Sequence, residues 1–172
     1  MKNILIVSAT LKNNYKLAKK IQDLLKNIES NSIKTNVISL ENYQLPIYTE
    51  DAFDKHIDKH KDTISKLTNK FVESDGIIIC APEYNGSTPP IVNNAIAWIS
   101  TTTDYWRDAF NKKIALIGTN SGGPGTKYIT IMKLQMEHLG CVVMPRAISE
   151  NKSNPLNVES VNKLLKQFID LI

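Results

Sequence analysis

The chain has 172 residues, with 21 Lys+Arg against 17 Asp+Glu for a net charge of +4, 42% hydrophobic and 22% charged residues, two Cys, seven Gly and seven Pro. One core at this length can remove roughly 70% of the unfolded chain's surface from water, so stability requires neither disulfides nor a structural metal, and disorder or a repeat array is excluded. The positive excess is spread along the chain with no block of like charges, which argues against a nucleic-acid or membrane footprint, and two Cys outside any CxxC spacing fit a reducing, cytoplasmic compartment.

From the amino end, Asn3 to Val7 reads as a strand, and its apolar run is too short for a signal-peptide core or a bilayer span. Leu17, Ile21, Leu24, Leu25 and Ile28 then recur at helical spacing. A second strand is expected at Thr35 to Leu40, followed beyond Pro46 by a charged helix from about Asp54 to Glu73 with Ile57, Ile64, Leu67 and Phe71 on one face. In that helix His56 and His60 stand four apart but lack the HExxH pattern, and the surrounding lysines mark a solvated face. Gly76 to Cys80 has no polar alternation, which implies a strand covered on both sides, as in a parallel sheet. Pro89 or Pro90 starts a helix carrying Ile91, Val92, Ala95, Ile96 and Ile99, with Trp98 assigned to core or subunit-interface packing. Lys113 to Gly118 is the fourth strand, Thr126 to Leu139 the fourth helix, Cys141 to Met144 the start of a fifth strand, and a last helix begins at Asn154-Pro155 or Asn157.

Strict βα alternation across residues 1–172 predicts one domain: an α/β three-layer sandwich with a five-stranded parallel sheet in the order 2-1-3-4-5. Ligands of such sheets bind beyond the carboxyl ends of the strands at the switch point. That directs attention to three loops.

The first, Ser8 to Asn14, brings hydroxyls, an ammonium and amides to a helix N-terminus, where a phosphate is favoured; it lacks both GxxxxGK[ST] and GxGxxG, and an ordinary capped turn fits it equally well. The second, Ala81 to Thr88, reads Ala-Pro-Glu-Tyr-Asn-Gly-Ser-Thr, in which Gly86 permits a positive φ and Tyr84 offers a flat face to a planar heterocycle. The third, Thr119 to Gly125, together with Gly118 before it, carries four of the seven glycines, a density expected where another group approaches the backbone.

These loops resemble those of the NADPH-dependent FMN reductase family, flavodoxin-like flavoproteins that include flavin, quinone and azo-compound reductases. The likeness runs over nearly the whole chain and is most specific at Pro82-Glu83-Tyr84-Asn85-Gly86-Ser87 and Ser121-Gly122-Gly123. It implies a flavodoxin-like fold with FMN as cofactor and NADPH or NADH as reductant. By the same resemblance Ser8, Thr10, Lys12 and Asn14 hold the FMN phosphate, Pro82, Glu83, Tyr84 and Asn85 meet the ring and ribityl, and Ser121, Gly122 and Gly123 close over the ring. Where the family usually has Gly, Arg and a further Ser, this first loop has Ala9 and Lys12 and is shorter; Lys lacks the planar fork of Arg, so a weaker hold on FMN is expected.

The implied chemistry is hydride transfer from nicotinamide through the flavin to a small-molecule electron acceptor, needing no side-chain nucleophile, and none of the three His lies in the loops. Tyr84, Trp106 and Phe110 are candidates for shaping the space above the ring, alone or with residues of a neighbouring subunit, and core packing explains some of them equally well. The resemblance further implies a homodimer or homotetramer, for which the Ile91 to Ile99 helix offers a seam. Two other readings stay open: a flavin carrier without nicotinamide oxidation, to which the isoelectric point near 9.0 is ill suited, and a scaffold that has lost FMN.

Overall fold

The structure, a computed structural model, describes residues 1–29 and 31–172; the side chains of Ala52 and His56 lie outside the described residues, and with them the His56 half of the histidine pair. The chain alternates β1 (Lys2–Ser8), α1 (Asn13–Ile28), β2 (Ile33–Ser39), a 3-10 turn (Leu40–Tyr43), α2 (Glu50–Val72), β3 (Gly76–Cys80), α3 (Pro90–Thr101), β4 (Ile114–Asn120), α4 (Thr126–His138), β5 (Val142–Val143), β6 (Ile148–Glu150) and α5 (Val158–Leu171). All strand pairs are parallel, in the order β2-β1-β3-β4-β5, with β6 also on β4.

Side chains that alternate along a strand leave the sheet on opposite faces, and here both faces are apolar. Leu5, Val7, Ile77, Ile79, Ala115 and Ile117 pack against α2, α3 and α4. Ile4, Ile6, Ile78, Cys80, Ile114 and Leu116 pack against α1 and α5. The unbroken apolar run of β3 is the sequence trace of this double cover, and all five of its residues are buried.

Several boundaries differ from expectation, β2 beginning at Ile33 among them, and three have a clear physical cause. Helix α2 begins at Glu50, before Asp54, because extended Thr49 precedes Glu50 and Asp51, whose charges favour the positive end of the helix. Strand β4 continues to Asn120, carried past Gly118 by pairing with β6. The expected fifth strand is two pieces: β5 pairs with the start of β4 and β6 with its end, and between them Pro145 has no N–H to give a ladder. The five expected strands are therefore six.

Helix α3 buries Val92, Ala95, Ile96, Trp98 and Ile99 inside the chain, with Ile91 partly buried. Trp98 is fully buried; its Nε1–H donates to the Pro46 carbonyl at 2.8 Å, and Tyr48 meets its ring edge-on at 5.2 Å. Among the described residues no helix is long and apolar enough to cross a membrane.

Gly76 opens β3 against α5: a methyl there would stand 2.8 Å from Phe168 Cζ. Gly76→Ala is expected to destabilise the fold by about 1–3 kcal/mol in urea titrations, and combining it with Phe168→Leu to relieve part of that overpacking.

Candidate functional site

The turns after β1, β3 and β4 meet at the carboxyl end of the sheet and are braced to one another by side chains. Asn14, 2% exposed in the first turn of α1, donates from Nδ2 to the Asn120 carbonyl (2.9 Å) and accepts at Oδ1 from the Asn120 N–H (2.8 Å). Asn120 Nδ2 in turn donates to Glu150 at 3.1 Å, and Lys20 Nζ lies 2.5 Å from the other oxygen of that carboxylate. The first loop is tied down a second time, since the Leu11 N–H donates to Glu41 of the 3-10 turn at 2.5 Å. Ser8 is buried and its hydroxyl donates to the Thr10 carbonyl at 2.6 Å, which fixes the turn.

In the second loop Tyr84 and Ser87 exchange backbone hydrogen bonds at 3.1 and 2.9 Å around Asn85 (φ 50°) and Gly86 (φ 70°). Two consecutive positive φ values define a type I′ turn, for which Asn-Gly is the favoured pair. The turn leaves Tyr84 half exposed. Its neighbour Glu83 is used twice: its N–H donates to Ser121 Oγ at 2.7 Å, and its Oε2 accepts from the N–H groups of Lys127 and Tyr128 at 3.0 and 3.3 Å. Helix α4 follows left-handed Gly125, which has no side chain to cap it, so a carboxylate from another loop does so. Ser121 Oγ also lies 2.9 Å from Thr119 Oγ1 within the third loop, so the hydroxyl that joins the second loop to the third is itself held in place.

The cleft so formed has a volume of about 390 Å³. The first loop contributes Thr10, Asn13 and Asn14, the second Pro82, Glu83 and Tyr84, and β4 with the third loop Asn120, Ser121 and Gly122. Seven of the eleven expected residues thus share one wall, while Ser8, Lys12, Asn85 and Gly123 stand behind or beside it. Sequence reasoning missed Asn13, Asn120 and Lys152; Lys152 reaches the cleft from a fourth turn, after β6, whose position depended on the split of the fifth strand. A separate hollow of about 110 Å³ lies at the amino end of the sheet near Asn3, Lys34 and Ser74, away from all these turns.

Two expected aromatics lie elsewhere. Phe110 is fully buried against Phe71, with ring centroids 5.5 Å apart. Trp106 packs on His138 at the end of α4, under the Arg107 guanidinium at 4.3 Å. Helix α3 runs antiparallel to the strands and delivers the connection to the amino end of the sheet, opposite the cleft. Neither ring borders it.

The donors present suit a flavin mononucleotide. Helix α1 starts with no side-chain cap and no acidic residue in its first turn, whereas α4 is capped by Glu83, so the opening N–H groups of α1 are free of an internal anion, as a phosphate would require. A methyl built on Gly122 or Gly123 meets nothing within 4 Å, so no contact inside the chain demands glycine there, while a flat ring against that backbone would. Cys80, beneath the rim, is fully buried, which pushes its thiol up to about 12; it is a packing group, and burial pushes Cys141 up to about 12 as well.

Residues 2–154 match the family described as NADPH-dependent FMN reductase. An uncharacterized Mycoplasma pneumoniae protein is 29% identical over 115 residues, 66% of this chain and 63% of its own length. A quinone reductase of Escherichia coli strain K12 is 27% identical over 126 residues, 69% of this chain and 64% of its own. The chain therefore spans less than two thirds of these curated relatives. Among solved structures, the flavoenzyme NAD(P)H:(acceptor) oxidoreductase FerB from Paracoccus denitrificans superposes with a TM-score of 0.76 at 21% identity, over 99% of this chain and 97% of that one.

Glu83→Ala is expected to lower stability by about 0.5–2 kcal/mol in urea unfolding, the cost of a lost helix cap, and Glu83→Gln, which keeps an acceptor, by less. Both thiols should resist an aromatic disulfide reagent at pH 8 and react on unfolding. Because the folded state holds them neutral, stability from these groups is intact below pH 9 and falls as pH rises towards about 12.

Proposed function

Because the chain belongs to the NADPH-dependent FMN reductase family, we propose that it is an NAD(P)H-dependent FMN oxidoreductase acting on flavins, quinones or similar small acceptors. The observation that carries this reading is the contrast at the rim: the chain caps α4 with Glu83 and leaves the start of α1 uncapped, beside glycines that face open space.

Thr10, Asn13 and the first-turn N–H groups of α1 would hold the phosphate, with the Ser8 hydroxyl and the Asn14 amide fixing the backbone that presents them. Lys12, exposed at the start of α1, adds a point charge without a fork, so the hold on phosphate is loose and FMN exchanges readily. Pro82, Glu83, Tyr84 and Asn85 would meet the ring and ribityl on one side, and Ser121, Gly122 and Gly123 on the other. Bound there, FMN would supply acceptance of hydride from nicotinamide and its delivery to the second substrate. Tyr84 leaves a half-exposed ring at the mouth, which suits reductant and acceptor visiting one open face in turn. The reading includes a homodimer or homotetramer in the cytoplasm; Tyr105, Trp106, Ile131, Leu134 and Val142 are among the exposed apolar side chains available for self-contact.

Protein with added FMN, mixed anaerobically with NADPH, should bleach the flavin absorbance on a catalytic time scale, and steady-state rates with a quinone should give parallel double-reciprocal lines. A bound flavin that NADPH leaves oxidised would make the protein a carrier, and intersecting lines would separate the two substrate sites.

A further inference from the structure

Beside the rim cleft, and sharing Asn13, Asn120 and Lys152 with it, lies a second cleft of about 320 Å³. Lys16 and Lys20 line it from the flank of α1, four residues apart and therefore on one face, with Glu150 and Asn151 across from them. Lys20 is neutralised by Glu150 at 2.5 Å. Lys16 and Lys152 have no carboxylate partner among the described residues. The turn that carries Lys152 is well built: Asn151 Oδ1 accepts from the N–H groups of Ser153 and Asn154, both at 2.9 Å, and the backbones of Asn151 and Asn154 bond reciprocally at 3.0 and 3.2 Å.

We infer that Lys16 and Lys152 form a phosphate-monoester site at the edge of the flavin cleft. Once Glu150 is spent on Lys20, two ammonium groups line one cleft without a carboxylate partner of their own among the described residues. A phosphate monoester, at about −1.5 to −2 near neutral pH, matches that charge, whereas a diester or a carboxylate leaves one ammonium uncompensated. Asn13, on the shared wall, adds a neutral amide. The inference rests on the flavin reading, which brings two monoesters to this rim: the phosphate of FMN and the 2′-phosphate that distinguishes NADPH from NADH.

Wild type, Lys16→Gln/Lys152→Gln and the charge control Lys26→Gln, at the far end of α1, would be titrated with FMN and riboflavin by flavin fluorescence, and with NADP⁺ and NAD⁺ by calorimetry. The double variant should lose about tenfold or more in affinity for a monoester ligand, as expected when charged hydrogen bonds are removed. The partner ligand lacking that phosphate, and the Lys26 control, should change by less than about twofold. A loss confined to FMN over riboflavin assigns the site to the cofactor, and one confined to NADP⁺ over NAD⁺ assigns it to the reductant. Arg at both positions should restore binding in either case. Unchanged affinity for all four ligands in a folded double variant overturns the site and leaves the flavin reading intact. A wild-type chain that binds neither flavin overturns both.

Discussion

The rim depends on the paired hydrogen bonds between Asn14 and Asn120. One side-chain amide gives and takes with one peptide unit, at 2.9 and 2.8 Å, and so ties the first turn of α1 to the end of β4 across the buried strand β3. Because Asn14 is almost wholly buried, losing either partner would strand a polar group without water, so the geometry of the two loops is held as a unit. The Glu83–Ser121 contact joins the remaining loop to the same frame, and the Glu83 carboxylate carries the tie on to α4. A ligand entering such a site finds its donors already placed and spends little of its binding energy on ordering them.

That bracing decides which polar groups remain for a ligand. Glu83, Ser121, Asn14 and Ser8, which look from sequence like free contacts, direct their side chains largely inward to the protein. What is left at the cleft is Thr10 and Asn13 at the start of α1, Pro82 and the Tyr84 ring, the backbone of Gly122, and Lys152. Backbone donors and a half-exposed aromatic ring suit a planar cofactor whose own chemistry does the work. They supply no nucleophile, and the buried thiol of Cys80 adds none.

The sheet order and the three loops were legible in sequence because they rest on local signals: the apolar run of Gly76 to Cys80, the helical spacing from Leu17 to Ile28, and glycines clustered after strands. Features that depend on pairing through space were not. Pro145 interrupts the edge strand, but only the pairing of Ile148 to Glu150 with β4 reveals a second piece and the turn that carries Lys152 to the cleft. For Phe110 the core-packing alternative holds, and Trp106 and Phe110 both lie away from the cleft because a helix returning along a parallel sheet reverses the end at which the next connection lies. That Glu83 caps α4 was not legible, because it required knowing that Gly125 adopts a left-handed conformation with no side chain to offer.

A crystal structure of the protein grown with FMN tests the central claim most directly. The account predicts density for the ring between the Tyr84 turn and Gly122-Gly123, with the phosphate against the opening turn of α1. Flavin density at the amino end of the sheet, or a rim left empty at saturating FMN, would contradict it.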